Sequence, residues 1–374
     1  MRAWLEINLD VIARNYRYAR AFLGDRTRVM AVVKADAYGH GIEPVVRVLE
    51  RENCPMYAVI SLDEAKRVRT ESAKDILIMG FVDDAEIQEA IREGFILSLY
   101  DRSHVDLLHE LATRVGIPLR VHLKVETGMN RLGMQISEAI EFLSLRAHFP
   151  MIQVESVFTH LAMSSTREVN LEQLANFRLM IEAMGEMGVS VPIHMTNSHG
   201  VKPFPEGHFD YVRLGLTLYG VEPVLPGLEP SLTAKTVVMQ RKPLRKGEST
   251  SYSRLFTAPH DMEIAILAMG YAEGLSQSMT NKINCIVSGI KTPLVGQICM
   301  NLCIADVTNI PAQRGDEVVI IGKQGKEEIR VADIAQQTGI RHHEVMTRLG
   351  KSIPKVYLGE PIQTVDRVRA PEVG

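Results

Sequence analysis

The sequence predicts an α/β protein in which a (β/α)8 barrel of the TIM type is followed by a mostly antiparallel β domain. From residue 28 to about 220, short β-branched apolar runs alternate with amphipathic stretches, a pattern typical of parallel strands joined by helices. Beyond about residue 230, the chain changes to alternating segments separated by turns. A chain of 374 residues is long enough for both units, and the Pro- and Gly-bearing stretch 221–230 is the expected boundary. We therefore predict a barrel domain over 1–230 and a β domain over 231–374.

The barrel strands follow an opening strand in residues 4–9 and a helix over 10–23; residues 1–10 can pack with the second domain. The eight apolar runs lie at 28–36, 56–60, 75–80, 95–100, 119–126, 152–160, 193–198 and 211–220. A doubly wound open sheet is the competing arrangement, but it normally carries a GxGxxG turn after its first strand. The segment AVVKADAYGHG (31–41) lacks that motif, which favours the barrel.

The second domain is predicted from turn-punctuated strands with little helix. The strand segments are LTAKTVVMQRKPL (232–244), EIAILAM (263–269), KINCIVSGIKTPLVGQ (282–297) and DEVVIIG (316–322). Only 329–350 has a helical pattern in this half of the chain.

Composition and charge indicate a small-molecule partner. The 42 Lys and Arg residues nearly balance the 45 Asp and Glu residues, so no footprint for nucleic acid or an anionic membrane appears. The first twenty residues lack the apolar core of an export signal, and no apolar run reaches the roughly 18 residues of a membrane span. The four cysteines show no CxxC spacing, so we expect no metal centre, no disulfide framework and a cytoplasmic location.

Polar residues near the predicted carboxyl ends of the barrel strands are the candidates for chemistry, because active sites of such barrels lie at that end. Lys34 follows the apolar run of the first barrel strand, and a buried lysine has a lowered pKa that makes it a nucleophile for carbonyls. This environment suits a Schiff base with pyridoxal phosphate, although a structural ion pair is the alternative for the residue taken alone. The other candidates are Lys124, Arg131, His160, Ser198 and Arg213.

Two segments could hold a phosphate. Tyr38 lies in a glycine-bearing loop that leads into a helix, although the residue taken singly suits a packed loop tyrosine better. In the last barrel unit, Gly215 and Leu216 of RLGL lie where such barrels often bind phosphate.

The sequence resembles the alanine racemase family of fold-type III pyridoxal-phosphate enzymes over nearly the whole chain. The most specific match is AVVKADAYGHG (31–41). The supporting matches are KVETGMNRLG (124–133), VFTHLA (157–162), TNS (196–198), RLGLTLYG (213–220), TSYSRLF (250–256), GYAEG (270–274) and VGQICMN (295–301).

The resemblance implies a role for each matched residue. Lys34 would carry pyridoxal phosphate, with His160 near its ring, Arg131 at its phenolate oxygen and Arg213 at its pyridine nitrogen. The phosphate would be held by Tyr38, Ser198, Gly215 and Leu216. Lys124 corresponds to a family lysine that is often carbamylated.

The resemblance also implies a homodimer whose active sites are shared between subunits. Tyr252 corresponds to the second catalytic base, contributed by the partner subunit. Met300 corresponds to the residue whose backbone N–H contacts the substrate carboxylate, and Tyr271 to a tyrosine at the entrance. The implied activity is interconversion of L- and D-alanine, which would supply D-alanine for peptidoglycan.

Two departures from the family pattern lie where substrate would enter. Asn301 replaces the usual aspartate, and His343 replaces a tyrosine that touches the phosphate. With these two changes, a racemase of serine or of a broader set of amino acids is one alternative. The other is that the changes do not affect substrate choice and that the histidine donates the same hydrogen bond as the tyrosine. A decarboxylase of the same fold would have an acid in place of Arg213, and a non-enzymatic cofactor-binding barrel would lack the second domain with Tyr252 and Met300.

Overall fold

A computed structural model describes residues 1–221 and 225–359, so parts of the expected boundary (222–224) and of the expected second domain (360–374) lie outside the described residues. The chain begins with β1 (Ala3–Asn8) and α1 (Leu9–Leu23). Asn8 ends the strand and caps the helix, because its side chain accepts a hydrogen bond from the backbone N–H of Val11.

Eight parallel strands close the predicted barrel in chain order. They are β2 (Arg28–Val32), β3 (Met56–Val59), β4 (Asp75–Ile78), β5 (Ile96–Leu99), β6 (Leu119–Lys124), β7 (Ile152–Phe158), β8 (Ile193–Asn197) and β9 (Tyr211–Leu214). The pairing of β2 with β9 completes the ring and sets Met30 opposite Arg213. The barrel fold is therefore confirmed, and the doubly wound open sheet is excluded.

The helical segments of the barrel half are α2 (Lys34–Tyr38), α3 (Ile42–Arg51), α4 (Leu62–Arg69), α5 (Asp84–Arg92), α6 (Val105–Val115), α7 (Ile136–Ser144), α8 (Arg167–Glu186) and α9 (Leu216–Tyr219). Side chains of each strand alternate between these helices and the barrel interior. The interior of the first strands is apolar, with Met30, Val32, Met56, Ala58, Leu77 and Ile96 packed together.

A second sheet is built mainly from the predicted antiparallel strands. Its strands are β10 (Leu232–Leu244), β13 (Met262–Leu267), β14 (Asn284–Val287), β15 (Ile290–Pro293), β16 (Cys303–Asp306), β17 (Glu317–Gln324), β18 (Glu327–Ile329) and β19 (Lys355–Leu358), together with β1. A separate hairpin joins β11 (Ser249–Thr250) to β12 (Phe256–Thr257). The strand β1 pairs antiparallel with β10 and parallel with β19, so the first strand of the chain lies in this second sheet.

The single predicted helical stretch of the second half divides into α10 (Val331–Thr338) and α11 (His342–Ser352). Gly339 ends α10 with a left-handed backbone (φ +74°), a conformation that glycine adopts without a steric penalty. Gly39 and Gly350 let α11 approach the turn after β2, since a Cβ on Gly39 would lie 2.6 Å from the carbonyl oxygen of Met346. The described part of the chain contains no helix that is long and apolar enough to cross a membrane.

Candidate active site

A cavity of about 500 Å³ lies at the carboxyl ends of the barrel strands, within the size range of small-molecule sites. It is lined by the residues predicted for the barrel site: Lys34, Tyr38, Lys124, Arg131, His160, Ser198, Arg213, Gly215 and Leu216. His343 of α11 also lines the cavity, so the second half of the chain contributes to its wall. The structure therefore brings these ten residues together.

Lys34 follows β2 in a turn of unusual handedness. Residues Ala35 to Tyr38 all have φ of 53° or 54°, a left-handed helical turn that costs L-residues roughly 1–2 kcal/mol each. The Asp36 carboxylate stabilises this turn by accepting hydrogen bonds from Lys355 Nζ at 3.0 Å and Arg67 Nη2 at 2.6 Å. The turn ends the strand at Val32, four residues before the end of the predicted run 28–36, and it carries Lys34 and Tyr38 to the cavity.

The amine of Lys34 loses its proton more readily than that of an ordinary lysine, because its pKa is lowered. Burial lowers the pKa of Lys34, and the charge of Arg131 lowers it further. Glu64 opposes these effects but does not outweigh them. An unprotonated amine is the form that attacks a carbonyl carbon, so the environment matches the nucleophile predicted from the sequence.

Ser198, Gly215 and Tyr38 form a small cradle on one side of the cavity. Ser198 Oγ accepts hydrogen bonds from the backbone N–H groups of Gly215 at 3.0 Å and Thr217 at 3.3 Å. A Cβ on Gly215 would lie 2.5 Å from the Tyr38 hydroxyl oxygen, so a larger residue at 215 would displace the Tyr38 ring. Thr217 Oγ1 is buried and has no hydrogen-bond partner among the described residues. The hydroxyl groups of Ser198 and Tyr38 beside the Gly215 backbone at the cavity wall fit a phosphate.

Arg213 is buried, and within the described residues its side chain hydrogen-bonds to uncharged acceptors. Its acceptors are His194 Nδ1 at 2.6 Å, His160 Nδ1 at 2.9 Å, and the carbonyl oxygens of Thr159 at 2.8 Å and Met195 at 3.0 Å. Burial lowers the pKa of Arg213 to about 9. No Asp or Glu is among the residues that line the cavity in the described part of the chain. The guanidinium of Arg213 therefore lies at the cavity wall without a carboxylate among the lining residues to neutralise it.

Two buried histidines behind Arg213 were not predicted from the sequence. His194 Nε2 lies 3.1 Å from His122 Nδ1, which extends the chain of hydrogen bonds away from the cavity. Because Arg213 can only donate, His194 accepts through Nδ1 and donates through Nε2. Burial lowers the pKa of His122 to about 3 and that of His194 well below its ordinary value, so both rings are neutral. The alternation of side chains along a strand could have indicated His122. It lies two residues before Lys124 and therefore on the same face of β6.

Lys124 adds a further amine to the cavity wall and is 7% exposed. Burial lowers its pKa to about 8, with Arg213 and Arg131 adding to the effect. His160 has a pKa well below its ordinary value for the same reasons, burial first and then Arg213. The cavity therefore collects cations around a neutral histidine, an arrangement that favours an anionic ligand.

The three remaining predicted site residues lie on the second half of the chain and outside this cavity. Tyr252 is 69% exposed, Met300 is 56% exposed and Tyr271 is 41% exposed. The loops that carry them are joined, since Ser251 Oγ donates to the carbonyl of Gln297 at 2.6 Å and the Tyr271 N–H donates to the carbonyl of Cys299 at 3.0 Å. None of the three lines the cavity that holds Lys34 of the same chain.

A closed parallel barrel with a cavity at the carboxyl ends of its strands, lined by a lysine of lowered pKa, has the architecture of the barrel enzymes. Residues 7–223 match the family model for the alanine racemase N-terminal domain, and residues 231–357 match that for the C-terminal domain. The chain therefore belongs to the alanine racemase family.

Individual relatives span almost the full length. The chain is 34% identical over 359 residues to the alanine racemase of Syntrophobacter fumaroxidans, covering 94% of this chain and 96% of the relative. It is similar in structure to alanine racemase from Streptomyces lavendulae, a D-cycloserine producer, with a TM-score of 0.91, 29% identity, and coverage of 96% and 98% of the two chains. It is also similar to alanine racemase from Bartonella henselae with covalently bound pyridoxal phosphate, with a TM-score of 0.88, 26% identity, and coverage of 96% and 100%.

Proposed function

We propose that this chain is a pyridoxal-phosphate-dependent racemase that interconverts L- and D-alanine. The observation that carries the proposal is the combination of Lys34, the Ser198–Gly215 cradle and the uncompensated charge of Arg213 in one cavity. Family membership supports the same reaction. We also propose domains of 1–230 and 231–374, with β1 belonging to the sheet of the second domain.

The residues present fit pyridoxal phosphate. Lys34 would hold its aldehyde carbon covalently, while Tyr38, Ser198 and the backbone at Gly215 and Leu216 would hold the phosphate. Arg131 and His160 would lie against the phenolate oxygen and the ring, and His343 would add a polar group to the phosphate side of the cavity. When bound, the cofactor supplies an electron-withdrawing system that stabilises the negative charge left at the substrate Cα after proton removal.

Arg213 would control how far that negative charge spreads. A guanidinium facing the pyridine nitrogen disfavours protonation of the nitrogen, since the protonated ring would place two positive charges together. Less delocalisation keeps the negative charge at Cα and makes side reactions such as transamination rarer. The four neutral acceptors around Arg213 support racemisation over decarboxylation, because a carboxylate in that place would have the opposite effect.

Racemisation needs a base on each face of the substrate. Lys34 would remove or return the proton on one face, and Tyr252 of a second copy of the chain would act on the other. The exposure of Tyr252, Tyr271 and Met300 supports a homodimer with shared active sites, because these groups lie outside their own chain's cavity. Arg131 and the Met300 N–H would bind the substrate carboxylate, with Tyr271 at the entrance.

His343 makes serine or a broader set of amino acids a second candidate substrate. Its imidazole lines the cavity at the position where the family usually has a tyrosine, and a smaller ring leaves more room for a side chain larger than methyl. We propose a cytoplasmic role in supplying D-alanine for peptidoglycan if alanine is the preferred substrate.

The test is to incubate the cofactor-loaded protein with L-alanine, L-serine and a panel of larger L-amino acids. Both enantiomers are quantified by chiral chromatography while carbon dioxide release is followed. Equilibration of alanine alone supports the main proposal, and preference for serine or larger side chains supports the second candidate. Carbon dioxide release or an absence of D-products would contradict both, and Lys34→Ala serves as the inactive control.

A further inference from the structure

Glu273 is a buried carboxylate in the second half of the chain that the proposed chemistry does not use. It is 5% exposed, and its two oxygens have three partners. Oε2 accepts from the backbone N–H of Gly270 at 2.9 Å, while Oε1 accepts from Asn301 Nδ2 at 2.9 Å and Arg2 Nη2 at 2.5 Å. A single carboxylate thus joins its own loop, the loop of Asn301 and the first strand region of the chain.

The two loops joined by Glu273 carry Tyr271 and Met300. Their backbones already contact each other, since the N–H groups of Tyr271 and Ala272 donate to the carbonyls of Cys299 at 3.0 Å and Met300 at 2.8 Å. The contact is close enough that a Cβ on Gly270 would lie 2.2 Å from the Cys299 carbonyl oxygen. The bond between Asn301 and Glu273 is the side-chain link across the same pair of loops, next to Met300.

The identity of residue 301 matters because of the charge of its neighbour. Asn301 offers an N–H donor to a carboxylate, whereas the aspartate usual in the family would set two carboxylates within hydrogen-bonding distance. Two such acids repel unless one takes up a proton, and Arg2 is mostly exposed and offers only partial compensation. The amide of Asn301 is therefore chemically matched to the Glu273 carboxylate.

We propose that Asn301 is a positioning residue that, through Glu273, fixes Met300 relative to Tyr271 and so sets how tightly the substrate carboxylate is bound. This inference rests on the proposed function, because Met300 and Tyr271 would act on substrate bound in the cavity of a second copy. In this proposal, the exchange of aspartate for asparagine at residue 301 affects substrate binding and does not affect the groups that transfer protons.

The proposal is tested with Asn301→Asp, Glu273→Gln and the double variant Asn301→Asp/Glu273→Gln. We expect Asn301→Asp to raise the KM for L-alanine about tenfold and to leave kcat within about twofold, because binding is weakened while the reacting groups stay in place. The double variant exchanges the amide and the carboxylate and keeps the net charge. It should bring KM back to within about threefold of wild type, since an N–H donor again faces a carboxylate.

The control is Asn309→Asp, the same chemical change at an exposed asparagine in the turn after β16. Its KM should equal that of wild type. An unchanged KM in Asn301→Asp would overturn the proposal, as would a double variant no better than the worse single variant. If Asn301→Asp does not fold, the KM of the double variant is compared with that of Glu273→Gln instead. A double variant with a KM no lower than that of Glu273→Gln would then overturn the proposal.

Amide hydrogen exchange gives a readout that does not depend on turnover. Asn301→Asp should speed exchange in both 270–274 and 299–302, and the double variant should slow it again. Exchange that stays at the wild-type rate in both loops would contradict the positioning role. A wild-type protein that racemises nothing would overturn the proposed function, whereas an active wild type without coupling between the two residues would overturn only the inference about Asn301.

Discussion

Lys124 shows how a single side chain can change its chemistry with pH. Burial and the charges of Arg213 and Arg131 lower its pKa to about 8, so much of the amine is neutral under mildly alkaline conditions. A neutral amine adds to carbon dioxide, forming an N–C bond and releasing one proton, and the product is a carbamate with a negative charge beside two arginines. The family resemblance and this environment together make carbamylation a prediction for Lys124.

We expect carbamate occupancy at fixed dissolved carbon dioxide to rise between about pH 7 and pH 9, as the amine loses its proton. The measurement is carbon-13 NMR of the protein equilibrated with labelled bicarbonate. Lys124→Arg keeps a cation but removes the reactive amine and serves as the control. A signal that persists in Lys124→Arg, or that is absent from wild type across the range, would rule the modification out.

His194 is expected to matter for stability because it accepts a hydrogen bond from buried Arg213. His194→Leu would leave an Arg213 N–H without an acceptor and should lower the free energy of unfolding by about 2–3 kcal/mol, measured by urea denaturation. His148→Leu is the matched control, since among the described residues that exposed ring bonds to the carbonyl of Leu145 alone. Equal losses of unfolding free energy in the two variants would show that the buried hydrogen bond between His194 and Arg213 does not stabilise the fold more than the exposed one.

At the scale of elements, the left-handed turn after β2 depends on a residue from the far end of the chain. Lys355 begins β19 and pairs with Asp36, and its Nζ also donates to the carbonyl of Gly350 at 2.7 Å. Burial raises the pKa of Asp36, but the hydrogen bonds and charges of Lys355 and Arg67 outweigh it and hold the pKa below its usual range. The second sheet thereby supports the turn that carries Lys34.

Lys355→Met is expected to lower the free energy of unfolding by about 1–2 kcal/mol at pH 7, since both partners are largely buried. A carboxylate with a depressed pKa contributes stability that is present above about pH 4 and is lost as pH falls through the folded pKa. The difference from wild type should therefore shrink below about pH 4 in urea denaturation. Lys323→Met, which removes a pair with a mostly exposed lysine, should cost less than about 0.5 kcal/mol at any pH. A pH-independent loss in Lys355→Met would contradict this account.

The elements differ in how far the sequence predicts them. Periodicity predicts the barrel strands because each buried strand needs a continuous apolar run, and the inward residues at strand ends follow from the same alternation. The left-handed turn at 35–38 escapes prediction, because none of its residues is glycine and its stabilising partners lie 31 and 319 residues from Asp36 in the chain. The hydrogen bond between Asn301 and Glu273 cannot be predicted from the sequence for the same reason, since it depends on two loops that meet in space.

At the scale of the whole molecule, the predicted site residues fall into two groups, one that lines the barrel cavity and one that is exposed outside it. The cavity holds Lys34 and the phosphate cradle, whereas Tyr252 and Met300 are exposed on the second half of the chain. Family motifs in the sequence predict both groups, but only the structure shows that the second group lies outside the cavity of its own chain. The proposed site, shared between two copies of the chain, would combine every predicted residue.

The most direct test of this account mixes two inactive variants, Lys34→Ala and Tyr252→Phe, under conditions where subunit exchange is verified by mass spectrometry. Each variant alone should lack racemase activity, because every site would miss one of its two bases. In a mixed dimer, one site combines Lys34 from one chain with Tyr252 from the other. We predict recovery of about a quarter of the wild-type alanine racemase activity after random exchange of equal amounts, since half the dimers are mixed and each has one intact site. No recovered activity despite proven exchange would contradict a site shared between subunits.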